Sequence, residues 1–211
     1  MYRRVEAVRK WRSASDRETT KGLAATPAQF AEVRQPSSDY LAMPTASSEK
    51  RQYIPIAFLP VKVVASNQVY IIPTAGRYHF GVLTSIMHMA WVRTVCGRIK
   101  SDYRYSAGIV YNNFPWPTRT DKQSAFIEKA AQEVLDARDR YPGSSLADLY
   151  DPVTMPADLA KAHKGLDKAV DAAYGKTNFA NEAERMAFLF ERYQQITAPL
   201  DISRKKVRKV A

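Results

Sequence analysis

Tyr111-Asn112-Asn113-Phe114-Pro115-Trp116-Pro117 divides this sequence into two parts of different character. Proline has no N–H to give to a ladder, so two of them around Trp116 cannot continue a central strand and the motif reads as a hard boundary. Everything downstream is helical in period. Thr120 and Gln123 form a capping box ahead of Ile127, Ala130, Ala131, Val134 and Leu135, which recur at helical spacing. Tyr141-Pro142-Gly143 ends that helix, and Pro156 suits the first turn of a second. Its stripe Leu159, Ala162, His163, Leu166, Ala169, Val170 and Ala173 closes at Gly175, and Asn181 with Glu184 opens a third helix. Met186, Leu189, Phe190 and Tyr193 face inward there. Three amphipathic helices with short links make a small bundle.

Upstream of the boundary the pattern is mixed. Residues 3–21 read as one basic helix. Tyr40–Met43, Tyr53–Phe58 and Gln68–Ile72 are short apolar runs set apart by Pro44, Pro55, Pro60 and Ser66-Asn67, which predicts strands, bent or at an edge where proline falls. Phe80–Val95 switches to an apolar face of helical period, with Gly97 where a C-cap belongs. A charged stretch then leads to Ile109-Val110-Tyr111, read as a strand. The expected fold class is α+β: a mixed β-sheet with packed helices over 1–117, a three-helix domain over 118–198, and a disordered basic tail over 199–211.

Charge follows the same division. The 211 residues carry 32 Lys/Arg against 21 Asp/Glu. Residues 1–117 hold 16 of those cations against 7 acids, residues 118–199 hold 11 against 13, and the last twelve hold 5 against 1. Positive charge concentrated in one region suits a polyanion, because each neutralised phosphate releases a condensed counterion. No apolar run approaches the roughly 20 residues of a membrane span, so a membrane is not expected as a partner. Cys96 is the one cysteine, which excludes an internal disulfide and fits a reducing cytoplasm.

Catalytic signatures are missing. The eight glycines never come within two residues of each other, so there is no glycine-rich turn to hold S-adenosylmethionine. Asn113-Phe114-Pro115-Trp116 has the wrong order for the Asn-Pro-Pro-aromatic motif that places a flipped adenine. His79, His88 and His163 lack zinc spacing, and Asp148, Asp151 and Asp158 sit where helix capping favours aspartate.

Arg98, Lys100, Asp102 and Arg104 alternate with Ile99, Ser101 and Tyr103. In an extended segment that alternation puts all four charged side chains on one side. A patch that only grips phosphate has no use for Asp102. Base reading has one: a carboxylate accepts from cytosine N4 while Lys or Arg donates to guanine O6 and N7. An ion pair from Asp102 to Lys100 or Arg104 is the competing explanation. Asn67 and Gln68 are amides suited to adenine, in a turn where asparagine also occurs for backbone reasons. Arg77, Arg93, Arg98 and the N-terminal arginines are candidate phosphate contacts.

Tyr53-Ile-Pro-Ile-Ala-Phe58, Phe80 to Trp91, Cys96-Gly-Arg-Ile-Lys-Ser-Asp-Tyr-Arg-Tyr-Ser106 and Tyr111 to Pro117 resemble the C-terminal region of MmeI-like (type IIL) restriction–modification enzymes. Leu146 to Pro152 and Ala162 to Gly175 look like the closing helical segment of that family, and the resemblance spans roughly residues 1–198. It implies a parent chain with a nuclease, an S-adenosylmethionine-dependent adenine methyltransferase, and then a target recognition domain followed by helices. This chain would begin inside the recognition domain, would bind double-stranded DNA, and would carry no cofactor itself, with S-adenosylmethionine and Mg in the upstream modules. The family's base-reading positions map to Thr45, Asn67, Gln68, Lys100, Asp102 and Arg104, and the Lys/Asp pair at 100 and 102 resembles its solution for guanine. The alternative is a basic RNA-binding or protein-interaction adaptor.

Overall fold

A computed structural model describes residues 1–208, with side chains as far as residue 198. The tail expected to be disordered therefore falls outside the described side chains. Residues 199–208 are followed only as helix backbone, and 209–211 lie outside the described residues. Two compact units are present, Met1–Pro36 and the residues from Ser37 onward.

The first unit holds α1 (Tyr2–Ser13) and α2 (Glu18–Gly22). The single helix expected over 3–21 is broken because the Ser15 hydroxyl accepts the Arg17 N–H at 3.2 Å, a side-chain substitute for the helical bond. Arg12 then closes the unit, donating to the carbonyls of Leu23, Thr26 and Gln29 at 3.0, 2.9 and 3.0 Å. No residue of this unit is buried.

The second unit begins with β1 (Tyr40–Pro44), which lies between β3 (Ala57–Leu59) and β4 (Val69–Pro73) in an antiparallel sheet. Residues 53–56 are not strand, as Pro55 has no N–H for a ladder. A second antiparallel sheet has the order β2-β6-β5, from β2 (Ala46–Ser47), β5 (Gly97–Ile99) and β6 (Asp102–Arg104). The chain crosses from one sheet to the other at Thr45.

The helix expected over 80–95 is two, α3 (Arg77–Leu83) and α4 (Ile86–Val95). Ser85 separates them: its hydroxyl donates to the Val82 carbonyl at 2.7 Å and caps α4 by accepting the His88 N–H at 3.4 Å. Gly97 is the first residue of β5 and not a C-cap, since Cys96 already leaves α4 in extended conformation. Residues 107–111 wind as a π-turn in place of the expected strand, and the Val110 carbonyl accepts the Trp91 indole N–H at 3.1 Å.

After Pro117 come α5 (Asp121–Asp139), α6 (Leu146–Leu149), α7 (Ala157–Ala173) and α8 (Glu182–Arg208). The Thr120/Gln123 box forms as expected. Pro156 stands at the N-cap of α7 and not at its first turn, Gly175 adopts φ 80° beyond its end, and Asn181 accepts the Glu184 N–H at 2.9 Å.

One hydrophobic core runs from Leu41 to Leu189; each fully buried Leu or Phe in it contributes roughly 1.5–3 kcal/mol. Gly81 lets α3 approach α5 and α7, for a Cβ there would meet Ile127 Cγ2 at 2.8 Å and Leu166 Cδ1 at 3.2 Å. Buried Arg138 of α5 donates to the Ile56 carbonyl at 2.7 Å and to the Tyr150 hydroxyl at 2.8 Å. Tyr150 in turn bonds His163 Nε2 at 2.7 Å, and the His163 ring stacks on Tyr53 with centroids 4.0 Å apart. His163 is thus the core histidine that its place on an apolar stripe suggested. Asp167 accepts from the Tyr53 hydroxyl and from the Ile86 N–H, tying α7 to the start of α4. Among the described residues no helix is long and apolar enough to cross a membrane.

Candidate nucleic-acid interface

Residues 98–104 do not form the single extended segment that the alternation suggested. They are a hairpin, with Arg98 opposite Tyr103, Ile99 opposite Asp102, and Lys100-Ser101 at the turn. Reversing the chain reverses part of the alternation. Asp102 and Arg104 share the exposed face with Ile99, whereas Arg98 lies on the other face, its guanidinium 4.1 Å above the ring of buried Tyr103. The four charges are therefore not on one side. Three are displayed, and Arg98 works within the hairpin, donating to the Ser101 carbonyl at 2.8 Å and to the Arg93 carbonyl at 3.4 Å.

Lys100 occupies the tip with φ 55°, a left-handed conformation that is uncommon for a residue with a side chain. Its side chain and that of Arg104 are exposed and make no hydrogen bond or ion pair among the described residues. Asp102 pairs with neither, so the ion pair that competed with base reading is not formed. Its Oδ1 accepts instead from the main-chain N–H of Glu49 at 3.2 Å.

The other three expected base-reading residues come together beside this hairpin. Thr45 donates its N–H to the Gln68 carbonyl at 2.9 Å and accepts the Tyr105 N–H at 2.8 Å, so it joins the 66–69 turn to the end of β6. Its hydroxyl donates to Gln68 Oε1 at 3.3 Å, a bond that does not use the two N–H donors of the Gln68 amide. Thr45 itself is buried, Gln68 and Asn67 exposed. The turn that carries them closes through Val69 N–H to Ser66 O at 3.2 Å, with Ser66 Oγ accepting from Gln68 N–H.

Among the phosphate candidates Arg77 is exposed and unpaired among the described residues. Arg93 is not: it is ion-paired with Glu182 of α8 and reaches the Gln52 carbonyl at 3.4 Å. Arg98 adds an ion pair to Glu49 at 3.8 Å.

Three supporting residues were not singled out in the sequence. Tyr105 holds Thr45 by its main chain, and its hydroxyl lies 3.0 Å from His88 Nε2. His88 Nδ1 sits 2.7 Å from the Leu83 carbonyl, and burial pushes the ring's pKa down to about 4. A neutral ring then donates from Nδ1 and accepts from Tyr105, fixing Tyr105, and with it Thr45, to α4. Glu49 is the third. Only tertiary pairing brings it to Asp102, so no local pattern signals it.

With this geometry in view, comparisons with known proteins are specific. The family model for the target recognition domain of MmeI matches residues 1–118, and that for the MmeI C-terminal domain matches residues 119–201. "DNA methyltransferase A" of Bacillus subtilis (strain 168) is 40% identical over 194 residues, which is 92% of this chain and 22% of that protein. A solved structure of the type IIL restriction-modification enzyme MmeI in complex with DNA superposes with a TM-score of 0.88 at 50% identity, covering 93% of this chain and 26% of that one. The chain thus spans about a quarter of the length of these relatives. It belongs to the MmeI family, of which it comprises the target recognition domain and the C-terminal domain.

Proposed function

We propose that this chain reads the sequence of duplex DNA for a longer enzyme that methylates adenine and restricts DNA, and is not itself catalytic. The observation that carries the reading is the exposed hairpin edge on which Lys100, Asp102 and Arg104 keep their hydrogen-bonding capacity free of one another. A major groove about 12 Å wide admits a two-stranded ribbon, and a ribbon is what residues 97–104 form. Lys100 donates to guanine O6 and N7, Asp102 accepts from cytosine N4, and the two together read one G·C pair. Arg104, Asn67, Gln68 and Thr45 read or frame neighbouring positions. Arg77 takes a phosphate, Arg98 braces the hairpin from within, and Arg93, ion-paired with Glu182, holds α4 to α8. The relative solved with DNA supports the choice of ligand.

Residues 1–117 act as the reading domain and 118–198 as its helical brace. S-adenosylmethionine and Mg belong to modules outside this chain, beside which it works in the cytoplasm, a setting that suits free, buried Cys96. Among the described residues no three His, Cys, Asp or Glu side chains gather where a metal ion could be held, and no glycine-rich turn is present for the cofactor. Binding to duplex DNA, single strands and structured RNA across 50 to 200 mM salt is the test. Duplex preference with a steep loss of affinity over that range, on the order of 10³-fold for six phosphate contacts, is expected. Equal or better binding to RNA would overturn the reading in favour of an RNA adaptor.

A further inference from the structure

We infer that Glu49 positions Asp102 for base reading through its main-chain N–H, an inference that rests on the base-reading role proposed for Asp102. The pairing of β2 with β6 sets Ser47 opposite Tyr103, which brings the residues after β2 alongside Asp102. There the chain turns at once: Arg51 donates its N–H to the Ser48 carbonyl at 3.2 Å, with Glu49 and Lys50 as the central pair. This turn aims the Glu49 N–H at Asp102 Oδ1, 3.2 Å away. The Glu49 carboxylate points elsewhere, to Arg98 at 3.8 Å.

The arrangement answers a problem of charge. Asp102 has Lys100 at the tip on one side and Arg104 two residues along the same face on the other. A mobile carboxylate would fold onto either cation and spend the acceptor that a base needs. A neutral amide that holds Oδ1 fixes the side chain without cancelling its charge, and leaves Oδ2 to accept from a base amine. Glu49 is thus a positioning residue, and the group that acts is its amide, not its side chain.

That distinction gives the test. Glu49 is the second residue of its turn, where proline is favoured, so Glu49→Pro keeps the turn and removes the donor. Glu49→Ala keeps the donor and removes the carboxylate. Duplexes randomised over the recognised site would be selected by this chain, by both variants and by Asp102→Ala, and sequenced. Thermal unfolding of each would confirm the fold. Glu49→Pro is expected to lose about fivefold or more of the preference at the base pair that Asp102→Ala also relaxes, with the preference returning in Glu49→Ala. The inference alone is overturned if Asp102→Ala relaxes that base pair while Glu49→Pro keeps it. It falls equally if Glu49→Pro weakens every position uniformly or if Glu49→Ala does what Glu49→Pro does. A native profile from Asp102→Ala, or no enrichment by the native chain, overturns the base-reading function itself and this inference with it.

Discussion

The cluster around Arg138 and the hairpin at Lys100 treat charge in opposite ways. Arg138 is buried and fully engaged, bonded to Ile56 and Tyr150 and stacked 5.0 Å over Phe80. Lys100, Asp102 and Arg104 stand in solvent with little engaged beyond one amide. A buried polar group costs free energy unless its bonds are made, so the first arrangement fixes geometry. An exposed charge with bonds to spare contributes little to folding and is available to a ligand. If the hairpin reads bases as proposed, stability and specificity are separated in one chain.

The largest effect belongs to the core. Arg138→Ala removes the Arg138 bond to the buried Ile56 carbonyl, leaves the Tyr150 hydroxyl with His163 alone and opens a cavity beside Phe80, and should cost about 3 kcal/mol or more in urea unfolding. A loss below about 1 kcal/mol would break the comparison from the core side.

Acid comes next. Burial holds His88 at about 4 and His163 at about 3, whereas the unfolded chain takes up those protons near 6.5. Between these values the unfolded chain binds more protons, so the histidine contribution is whole above about 6.5 and drains away as pH falls toward 4. Asp167 runs the other way. Burial raises its carboxyl to about 6, so the folded chain holds that proton more tightly and gains relative stability as pH falls from about 6 to 4. Burial raises Asp171 as well, in the same direction as Asp167, but the two histidines are held furthest from their free value and dominate, so the urea midpoint should drop between pH 6.5 and 4.5; a rising midpoint would contradict it.

Gly81→Val sharpens the packing half of the comparison. The added side chain collides with Ile127 and Leu166, costing about 1–3 kcal/mol and weakening DNA binding only as far as it unfolds the protein. The smallest effect sits on the charged side. Arg77→Ala should leave stability within about 0.5 kcal/mol and make the salt dependence of duplex binding shallower by about one phosphate contact.

What was legible in the sequence follows the same line between local and long-range causes. The capping box at Thr120, the stripe from Leu159 to Ala173 and the Gly175 stop are local chemistry, and they form as read. Ser85, by contrast, splits an apolar run that looks continuous, because a buried hydroxyl can replace two helical bonds. Residues 98–104 misled more instructively. Alternation of period two is right within each strand, but nothing in Lys100-Ser101 announces a turn, since the usual glycine or asparagine is absent and Lys100 itself takes the left-handed conformation. The concentration of charge at 98–104 was therefore legible, while its division between two faces was not. Glu49, Tyr105 and His88 act on the edge only through tertiary pairing, which one-dimensional pattern does not carry.

The central claim is that the hairpin distinguishes bases, and reversing its two charges tests it most directly. Lys100→Glu together with Asp102→Lys would be assayed for the base sequence of the duplexes retained, in parallel with thermal unfolding. The expected result is an unchanged melting temperature and an exchanged preference, C·G for G·C, at a single position, worth about 1–3 kcal/mol. An unaltered preference at every position would contradict the account.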